Sequence, residues 1–293
     1  MSSRFSPAAR SAPVVAVLAA LALANGCASH QQKRRAGNEL PSGSPARFTS
    51  GAEQQSLEAF LRTADVTDRE TVPQGVTRPQ RLTLSDGTTT RRALWKTLDE
   101  NVPIQEFRRG RPELRFKDSY RHEIAAYELD KLLGLRMVPP TVERHLGRQT
   151  GCLQLWLEGC ITEADRLTRG LHAPDAERWN RQMYEVRLFH QLIDDPDARN
   201  VSNLLVDADF NLYVIDSSRA FRYHHELGDA GSLRRFSRRL LERLEALTPQ
   251  LLEDRLGRWL TGEQTDALLA RRDLILALAA RRVEDEGPRV LYP

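Results

Sequence analysis

Residues 192–221, LIDDPDARNVSNLLVDADFNLYVIDSSRAF, combine two short apolar runs with many Asp and Asn side chains. The runs NLLV and YVID flank the turn residues DADFN, a pattern that predicts a β-hairpin. Pairing Leu204 with Ile215 would place Asn203 opposite Asp216, with Cα atoms about 4.5–5.5 Å apart. An amide oxygen and a carboxylate at that distance can share one cation, and magnesium is usually held by few protein ligands together with phosphate oxygens and water. The alternative is a polar pair that closes a hairpin at the surface.

A lysine in the run ALWKTL raises a second question about charge. Strand alternation puts Lys96 on one face and Trp95 on the other. If the face with Lys96 is buried, the ammonium needs a counter-charge, and Glu123 near the start of the next predicted helix is a candidate. If the face with Trp95 is buried instead, Lys96 is solvated. The strand pattern alone leaves both interpretations open.

The order of the predicted elements indicates an α+β chain. A small β-rich lobe with an N-terminal helix is expected over residues 52–158, and a mainly helical lobe over residues 159–293. Ser119 is expected to cap a helix that ends at Gly134, and CLQLWLEG forms the strand that joins the lobes. Further helices are predicted at residues 56–64, 177–193 and 232–286.

The N-terminus is typical of a secreted bacterial lipoprotein. An apolar run of small residues follows two arginines and ends in LANGC, which resembles a lipobox. We expect a signal peptide over residues 1–26, a lipidated Cys27, and a flexible polar spacer over residues 27–51. This predicts a lipid-anchored, extracytoplasmic location in the bacterial cell envelope. A plain secretory signal or an uncleaved anchor is the alternative.

The charge pattern excludes one class of partner. The chain has 43 Lys and Arg, 40 Asp and Glu and a formal net charge of +3, with both signs mixed along the sequence, so no nucleic-acid partner is expected. The arginine-rich run at residues 234–245 is typical of a solvated helix face, and a membrane-surface contact is the alternative. Cys152 and Cys160 lie too far apart on one extended run to form a disulfide, so both are predicted to be free thiols.

Taken together, these motifs resemble the protein-kinase-like fold. Lys on an N-lobe strand, Glu on the following helix, a joining strand, an acidic loop ending in Asn and an Asp after a hairpin occur there in this order. The segments ARNVSN and VIDSSRAF are most similar to those of atypical branches, which include phosphoinositide kinases, HipA-like serine kinases and secreted kinases. EIAAYELDKLLGLRMVPPTVER is also similar to a group of bacterial kinase-like proteins. The resemblance extends from about residue 75 to residue 292.

The resemblance implies a binding site for ATP and Mg²⁺. Lys96 would hold the α- and β-phosphates, and Glu123 would fix Lys96. Asn203 and Asp216 would ligate magnesium. Four residues of the joining segment would offer backbone groups to adenine: Leu155, Trp156, Leu157 and Glu158.

The implied catalytic loop contains Asp197, Arg199 and Asn200, but it departs from the kinase pattern. The catalytic Asp of that pattern directly precedes Arg, and Ala198 stands there in this chain. Asp197 lies one residue earlier, and Asp194 and Asp195 are further candidates for the base. A Gly-rich phosphate cover is nearly absent.

Three hypotheses follow. The first is a membrane-tethered kinase-like protein that binds a Mg-nucleotide and transfers a phosphoryl group to a hydroxyl of a protein or small-molecule acceptor. The second is a catalytically impaired pseudokinase that acts as an envelope binding or scaffold module, which Ala198 favours. The third is an envelope structural protein in which the polar hairpin only caps a core.

Overall fold

The computed structural model describes residues 50–72, 79–106 and 112–293. Seven helices lie in these ranges, and they are numbered here in chain order. Their bounds are α1 Gly51–Thr63, α2 Tyr120–Leu133, α3 Glu163–Thr168, α4 Ala176–Ile193, α5 Arg238–Glu245, α6 Pro249–Leu256 and α7 Gly262–Glu286.

The strands form one large sheet and three small ones in the described parts of the chain. The large sheet is antiparallel, has the order β1-β2-β3-β7-β6, and is built from β1 Asp65–Thr71, β2 Gln80–Ser85, β3 Thr90–Lys96, β6 Thr141–Leu146 and β7 Gln149–Leu155. The small sheets are the hairpin of β4 Asp99–Gln105 and β5 Glu113–Ser119, the antiparallel set of β8 Ile161–Thr162, β9 Leu204–Val206 and β10 Leu212–Val214, and the parallel pair of β11 Phe236–Ser237 and β12 Leu291–Tyr292.

Both faces of the large sheet are covered. On one face, Trp95 and Leu153 pack with Leu61 of α1 in a buried apolar cluster. On the other face, Cys152 packs against Ile124 of α2. Since alternate residues of a strand point to opposite faces, α1 and α2 shield opposite sides of the same sheet. The face with Trp95 is therefore a core face, and the face with Lys96 lies towards α2.

Helix α2 begins and ends where the sequence predicts. The Ser119 hydroxyl accepts a hydrogen bond from the Arg121 N–H at 3.1 Å, and Gly134 ends the helix with a left-handed φ of 62°. Glycine adopts this conformation without the steric cost that a Cβ imposes. The capping residues thereby fix which residues of α2 lie in its first turn, and Glu123 is one of them.

Helix α1 is longer than predicted. The sequence indicates a helix from residue 56, whereas α1 begins at Gly51 because the Ser50 hydroxyl accepts a hydrogen bond from the Glu53 N–H at 3.1 Å. The last two residues of the predicted spacer, 50 and 51, therefore belong to this helix and its cap. The predicted signal peptide, Cys27 and the rest of the spacer lie outside the described residues.

The C-terminal part of the chain packs around a single apolar core. Phe189 of α4, Leu244 of α5, Leu252 of α6 and Leu268 of α7 are all fully buried in it. Within the described ranges, no helix is both long enough and apolar enough to span a lipid bilayer.

The register of the β9–β10 hairpin differs from the prediction by one residue. Leu204 pairs with Val214, not Ile215, and the Ile215 N–H donates to the Asn203 carbonyl at 3.0 Å. Asn203 therefore faces Ile215 rather than Asp216. The cause lies in the turn, where the Asp207 carboxylate accepts the backbone N–H of Asn211 at 2.8 Å and closes a loop shorter than the apolar pattern suggests.

Candidate functional site

Lys96 lies between two carboxylates from different parts of the chain. Its ammonium donates to Glu123 of α2 and, at 2.8 Å, to Oδ1 of Asp216. Only 12% of the Lys96 side chain is exposed. Burial alone would lower the pKa of Lys96, but the two carboxylates outweigh it and raise the pKa above the ordinary value. Lys96 is therefore a charged and fully paired cation, which the sequence left undecided.

Glu123 is held from two sides. It is 1% exposed, and besides binding Lys96 its Oε2 accepts the backbone N–H of Ser217 at 3.2 Å. That N–H belongs to the residue directly after Asp216, so one carboxylate joins strand β3, helix α2 and the segment that follows β10. The predicted pairing of Lys96 with Glu123 is present in the structure.

Asp216 reaches Lys96 through an unusual backbone conformation. Its φ is 62°, in the left-handed region, and it comes two residues after the end of β10. This conformation interrupts the strand alternation and turns the side chain towards Lys96. The carboxylate is 54% exposed, and the charge of Lys96 holds its pKa below the ordinary value. Asp216 is thus an ionised acceptor that is open to solvent.

Asn203 and Asn200 form a hydrogen-bonded pair just before β9. The Asn200 amide donates to Oδ1 of Asn203 at 3.1 Å, and the Asn200 Oδ1 accepts the Ser202 N–H at 3.1 Å. Asn200 therefore orients the Asn203 amide at the start of β9. Arg199 does not join this group, because its side chain is 89% exposed and lies 3.5 Å from Asp229.

The loop after α4 contains one buried and one accessible carboxylate. Asp195 is 4% exposed, and its Oδ1 accepts the Asp197 N–H at 2.8 Å, which orders the turn. Asp197 is 38% exposed, and its Oδ2 lies 3.4 Å from Nη1 of Arg219. Of these two candidates for the base, only Asp197 presents its side chain at the surface of the site. Asp194, the third candidate, caps α4 and pairs with His224 at 2.9 Å.

Burial shifts the protonation of Asp195 and of the histidine beside it. Loss of solvent raises the pKa of Asp195 to about 7, and it lowers the pKa of His190 to about 4. The backbone of Ala198 lies beside the His190 ring, whose Nε2 is 3.7 Å from Oδ2 of Asp195. At neutral pH the imidazole is uncharged, so this contact is not an ion pair. The buried pair supports the loop at the position where the kinase pattern has its catalytic Asp.

The four residues of the joining segment differ in what they can offer. The N–H of Leu155 donates to the Pro140 carbonyl at 2.8 Å, and that of Trp156 donates to the Arg92 carbonyl at 2.9 Å. Both donors are therefore used within the N-terminal sheet region. The side chain of Glu158 is also engaged, because its carboxylate accepts a hydrogen bond from Nε of Arg92 at 2.6 Å. The next two backbone N–H groups, of Leu157 and Glu158, take no part in these two backbone bonds.

Two residues of the site were not assigned from the sequence. Arg219 links Asp197 to Glu113 of β5, with a distance of 2.9 Å to the glutamate, and its charge also lowers the pKa of Asp216. The pKa of Asp118 on β5 is raised mainly by burial, and the nearby charge of Asp216 raises it further. Strand β5 supplies Asp118 and also Glu113, the partner of Arg219. The apolar pattern of the sequence does not predict the β4–β5 hairpin.

Two further expectations concern cysteine and metal binding. Cys152 and Cys160 are free thiols, as predicted. Across residues 50–72, 79–106 and 112–293, no group of three or more His, Cys, Asp or Glu side chains forms a metal site. Asn203 and Asp216 are only two side chains, and asparagine is not one of those four residue types. Their role as magnesium ligands stays a prediction.

Comparison with solved structures identifies the fold. Hydra Fam20 in a structure with sugar superposes with a TM-score of 0.63 at 16% sequence identity, covering 88% of this chain and 98% of that chain. The Golgi casein kinase superposes with a TM-score of 0.60 at 15% identity, covering 83% of this chain and 78% of that chain. A structure of the Golgi casein kinase with Mn/ADP bound gives 0.58 at 14% identity, covering 82% and 78%.

The chain therefore has a protein-kinase-like α+β fold, with a small β-rich N-lobe and a mainly helical C-lobe, as predicted. At these identities the likeness defines the fold alone. The sequence matches no protein-family model and no curated protein.

Proposed function

We propose that this chain binds a Mg-nucleotide between its lobes and transfers the terminal phosphoryl group to a hydroxyl acceptor. The observation that carries the proposal is the contact of Lys96 with both Glu123 and Asp216. Placing an ammonium with little exposure between two carboxylates is costly unless its partners are accurately positioned. In this fold the same three groups lie where phosphates and metal are bound, which gives the arrangement a use beyond stability.

The donor set suits magnesium. Asp216 offers one ionised, half-exposed carboxylate, and Asn203 offers an amide oxygen that Asn200 orients. One carboxylate with neutral oxygens, completed by phosphate oxygens and water, is the usual protein environment of Mg²⁺. When bound, the ion neutralises charge on the phosphates. The Mn/ADP in the Golgi casein kinase structure supports the same kind of ligand here.

The residues of this chain have distinct proposed roles. Lys96 holds the α- and β-phosphates, and Glu123 keeps its ammonium in place. Leu157 and Glu158 face adenine with backbone groups. Asp197 accepts the proton of the acceptor hydroxyl. The oxygen of that hydroxyl forms a bond to the γ-phosphorus, and the bond between the γ-phosphorus and the β,γ-bridging oxygen breaks, so that ADP leaves. Arg219 orients Asp197.

A pseudokinase is the second candidate, and a specific observation favours it. Ala198 occupies the usual position of the base, and the nearest exposed carboxylate, Asp197, already contacts Arg219. A displaced base typically lowers the rate by about 10²–10⁴-fold while leaving nucleotide binding intact. In this case the chain binds nucleotide and acts as a scaffold in the envelope.

The location of the protein is proposed from its N-terminal sequence. LANGC at residues 23–27 supports lipidation of Cys27 and anchoring to a membrane of the bacterial envelope on its outer side. A lipid-anchored kinase domain would act on an acceptor near that membrane. Mass spectrometry of the mature N-terminus, with Cys27→Ser as the control, tests this: an acylated Cys27 supports the anchor, and an unmodified N-terminus contradicts it.

Thermal unfolding of the full chain with and without Mg-ATP tests the nucleotide site. Ligand at a hundred times Kd stabilises a fold by about 2.7 kcal/mol, which corresponds to a rise in Tm of roughly 5–10 °C for a domain of this size. We expect this rise to need magnesium and to be lost in Asp216→Asn. Asp68→Asn, an exposed carboxylate on β1, is the matched control and should keep it. No rise at millimolar Mg-ATP would overturn the proposal.

Turnover separates the two candidates. Transfer of radiolabelled γ-phosphate, as ATP hydrolysis or as modification of the chain itself, should be present in the native chain. It should fall by about 10²–10⁴-fold in Asp197→Asn, while the thermal shift by Mg-ATP is kept. A native chain that binds Mg-ATP without any turnover is the pseudokinase.

A further inference from the structure

A cavity of about 330 Å³ lies away from the proposed nucleotide site, where α1, α2, α5 and α6 meet. Five of its ten lining residues are cationic and one is acidic. Six charged side chains line it: Glu58, Lys131, Arg136, Arg239, Arg243 and Arg255.

These cations come from separate elements. Lys131 lies on α2, Arg239 on α5 and Arg255 on α6. A solvated helix face places its charges along one helix, whereas these charges converge on one concavity. Like charges that converge in a partly enclosed space repel one another and produce a positive potential there.

Nearby carboxylates neutralise only part of this charge. Glu58 accepts from Lys131 at 2.8 Å and from Arg62 at 3.1 Å. Glu128 accepts from Lys131 at 2.7 Å and from Arg255 at 3.1 Å. Burial would raise the pKa of Glu58, yet the hydrogen bond and charge of Lys131 hold it below the ordinary value. Each carboxylate is thus shared between two cations, and the cavity stays positive.

One of the cations has a structural role of its own. Arg243 donates to the Leu132 carbonyl at 3.2 Å, near the C-terminus of α2. Its guanidinium also lies so near Gly134 that a Cβ there would come within 2.5 Å of Nη1. Arg243 therefore stabilises the end of α2, and the tests below leave it unchanged.

The start of α1 lies at the cavity. Gly51, the first residue of this 13-residue helix, lines it, so the positive end of the helix dipole is close by, and Glu53 in the same first turn offsets part of that charge. The N-terminal segment also joins the fold at this point. If Cys27 is lipidated as proposed, the protein is held at a membrane, where phospholipid headgroups are available as ligands.

We propose that this cavity binds a phosphate-bearing anion, either free in solution or as the headgroup of an anionic phospholipid. Guanidinium groups match phosphate oxygens in pairs, and several converging arginines give such sites their affinity. The volume is at the lower end of the range for small-molecule sites, which suits one or a few phosphate groups. This site is independent of the nucleotide site, and neither proposal requires the other.

The test uses the full chain in nonionic detergent micelles, with EDTA present so that no divalent cation is available to the nucleotide site. Thermal unfolding is followed with inorganic tripolyphosphate, and separately with micelles doped with phosphatidylglycerol or with phosphatidylcholine. The pocket variant is Arg239→Gln/Arg255→Gln, which removes two exposed or half-exposed charges. The matched control is Arg69→Gln/Arg281→Gln, two exposed arginines outside the cavity.

We expect an anion to raise the Tm of the native chain and of the control by several degrees, and the pocket variant to need at least tenfold more anion for the same rise. A response to tripolyphosphate alone identifies a soluble phosphate ligand, and a response to phosphatidylglycerol but not phosphatidylcholine identifies a headgroup. Equal responses in the pocket variant and the control would show non-specific charge binding and overturn the proposal. An unchanged Tm with both anions would also overturn it.

Discussion

Lys96 shows how one residue can carry both stability and function. Its ammonium is the only positive group among the hydrogen-bond partners that the structure gives Glu123, and Glu123 is 1% exposed. Removing Lys96 therefore leaves Glu123 as a buried carboxylate without a cation, which destabilises the folded state.

We expect Lys96→Met to lower the free energy of unfolding by about 3–5 kcal/mol, measured by urea denaturation. Adding Glu123→Gln should recover most of that loss, since the uncompensated charge is then absent. Arg181→Met, which breaks an exposed ion pair with Glu177, should cost less than about 1 kcal/mol. A double variant no more stable than Lys96→Met alone would contradict this account.

Asp195 should make stability depend on pH. Its folded pKa of about 7 lies above its unfolded value, so the folded state binds more protons between about pH 4 and 7 and loses stability as pH rises through that window. His190 has the opposite effect, because its folded pKa of about 4 lies below its unfolded value and stability is lost as pH falls from about 6.5.

Comparison with Asp195→Asn isolates the carboxyl from the histidine. We expect this variant to gain stability relative to the native chain as pH rises from 5 to 8, by roughly 2–3 kcal/mol, since about two pH units of that range lie below the folded pKa. Urea unfolding at four pH values measures the difference, with Asp68→Asn as the exposed control. Parallel curves for Asp195→Asn and the native chain would show that burial does not shift this carboxyl.

Among the structural elements, the β9–β10 hairpin decides where the site residues point. Asp207 is 1% exposed, and its carboxylate accepts from the N–H groups of Asp209 and Asn211 and from the Tyr213 hydroxyl at 2.8 Å. These bonds set the length of the turn and hence the register. The register then places Asp216 just beyond the last pair, where its left-handed conformation directs it to Lys96.

We expect Asp207→Ala to destabilise the fold by about 2–4 kcal/mol, because several buried donors lose their acceptor. Asp209→Ala, an exposed residue of the same turn, should change stability by less than about 0.5 kcal/mol. Chemical denaturation measures both, and hydrogen exchange at residues 204–216 should rise in Asp207→Ala alone. Equal effects of the two substitutions would refute the role given to Asp207.

Arg271 connects elements in a different way. It is fully buried on α7, and it donates to the Leu192 carbonyl at 2.9 Å and to the Arg222 carbonyl at 3.3 Å. Loss of solvent lowers its pKa to about 10, so it stays charged at neutral pH. The end of α4 and the segment after Asp216 are therefore held by one side chain from a distant helix.

At the scale of the whole molecule, α2 belongs to both lobes. Glu123 joins it to Lys96 in the N-lobe sheet, and His122 contacts the Gln264 amide of α7 at 3.0 Å. The Gln264 amide also donates to the Phe221 carbonyl at 2.8 Å. Since α2 makes side-chain hydrogen bonds to both lobes, we expect the two lobes to unfold together.

We expect urea unfolding followed by far-UV circular dichroism and by tryptophan fluorescence to give coincident single transitions. Gln264→Leu should lower the free energy of unfolding by about 1–3 kcal/mol, because buried partners lose their hydrogen bonds. Gln250→Leu, an exposed glutamine on α6, is the matched control and should have little effect. Two separated transitions in the native chain would show that α2 does not couple the lobes.

Local features were predictable because they depend on residues close in sequence. Ser119 and Gly134 fixed the bounds of α2, and strand alternation separated Lys96 from Trp95. The β4–β5 hairpin was not predicted, since its charged and half-exposed strands lack a regular apolar pattern. It carries Glu113, which orients Arg219 in the site.

The sequence by itself determined the order of the main elements, the caps of α2 and the set of residue types that the site can use. Only the tertiary structure decided which of them meet. Lys96 contacts Glu123 and Asp216 across 27 and 120 positions of the chain, and no local pattern selects such partners. The one-residue register of β9–β10 depends on the buried bonds of Asp207, and the pairing of Lys96 depends on both faces of its sheet being covered. Local propensity is set within a few residues, whereas burial and charge pairing are properties of the assembled fold.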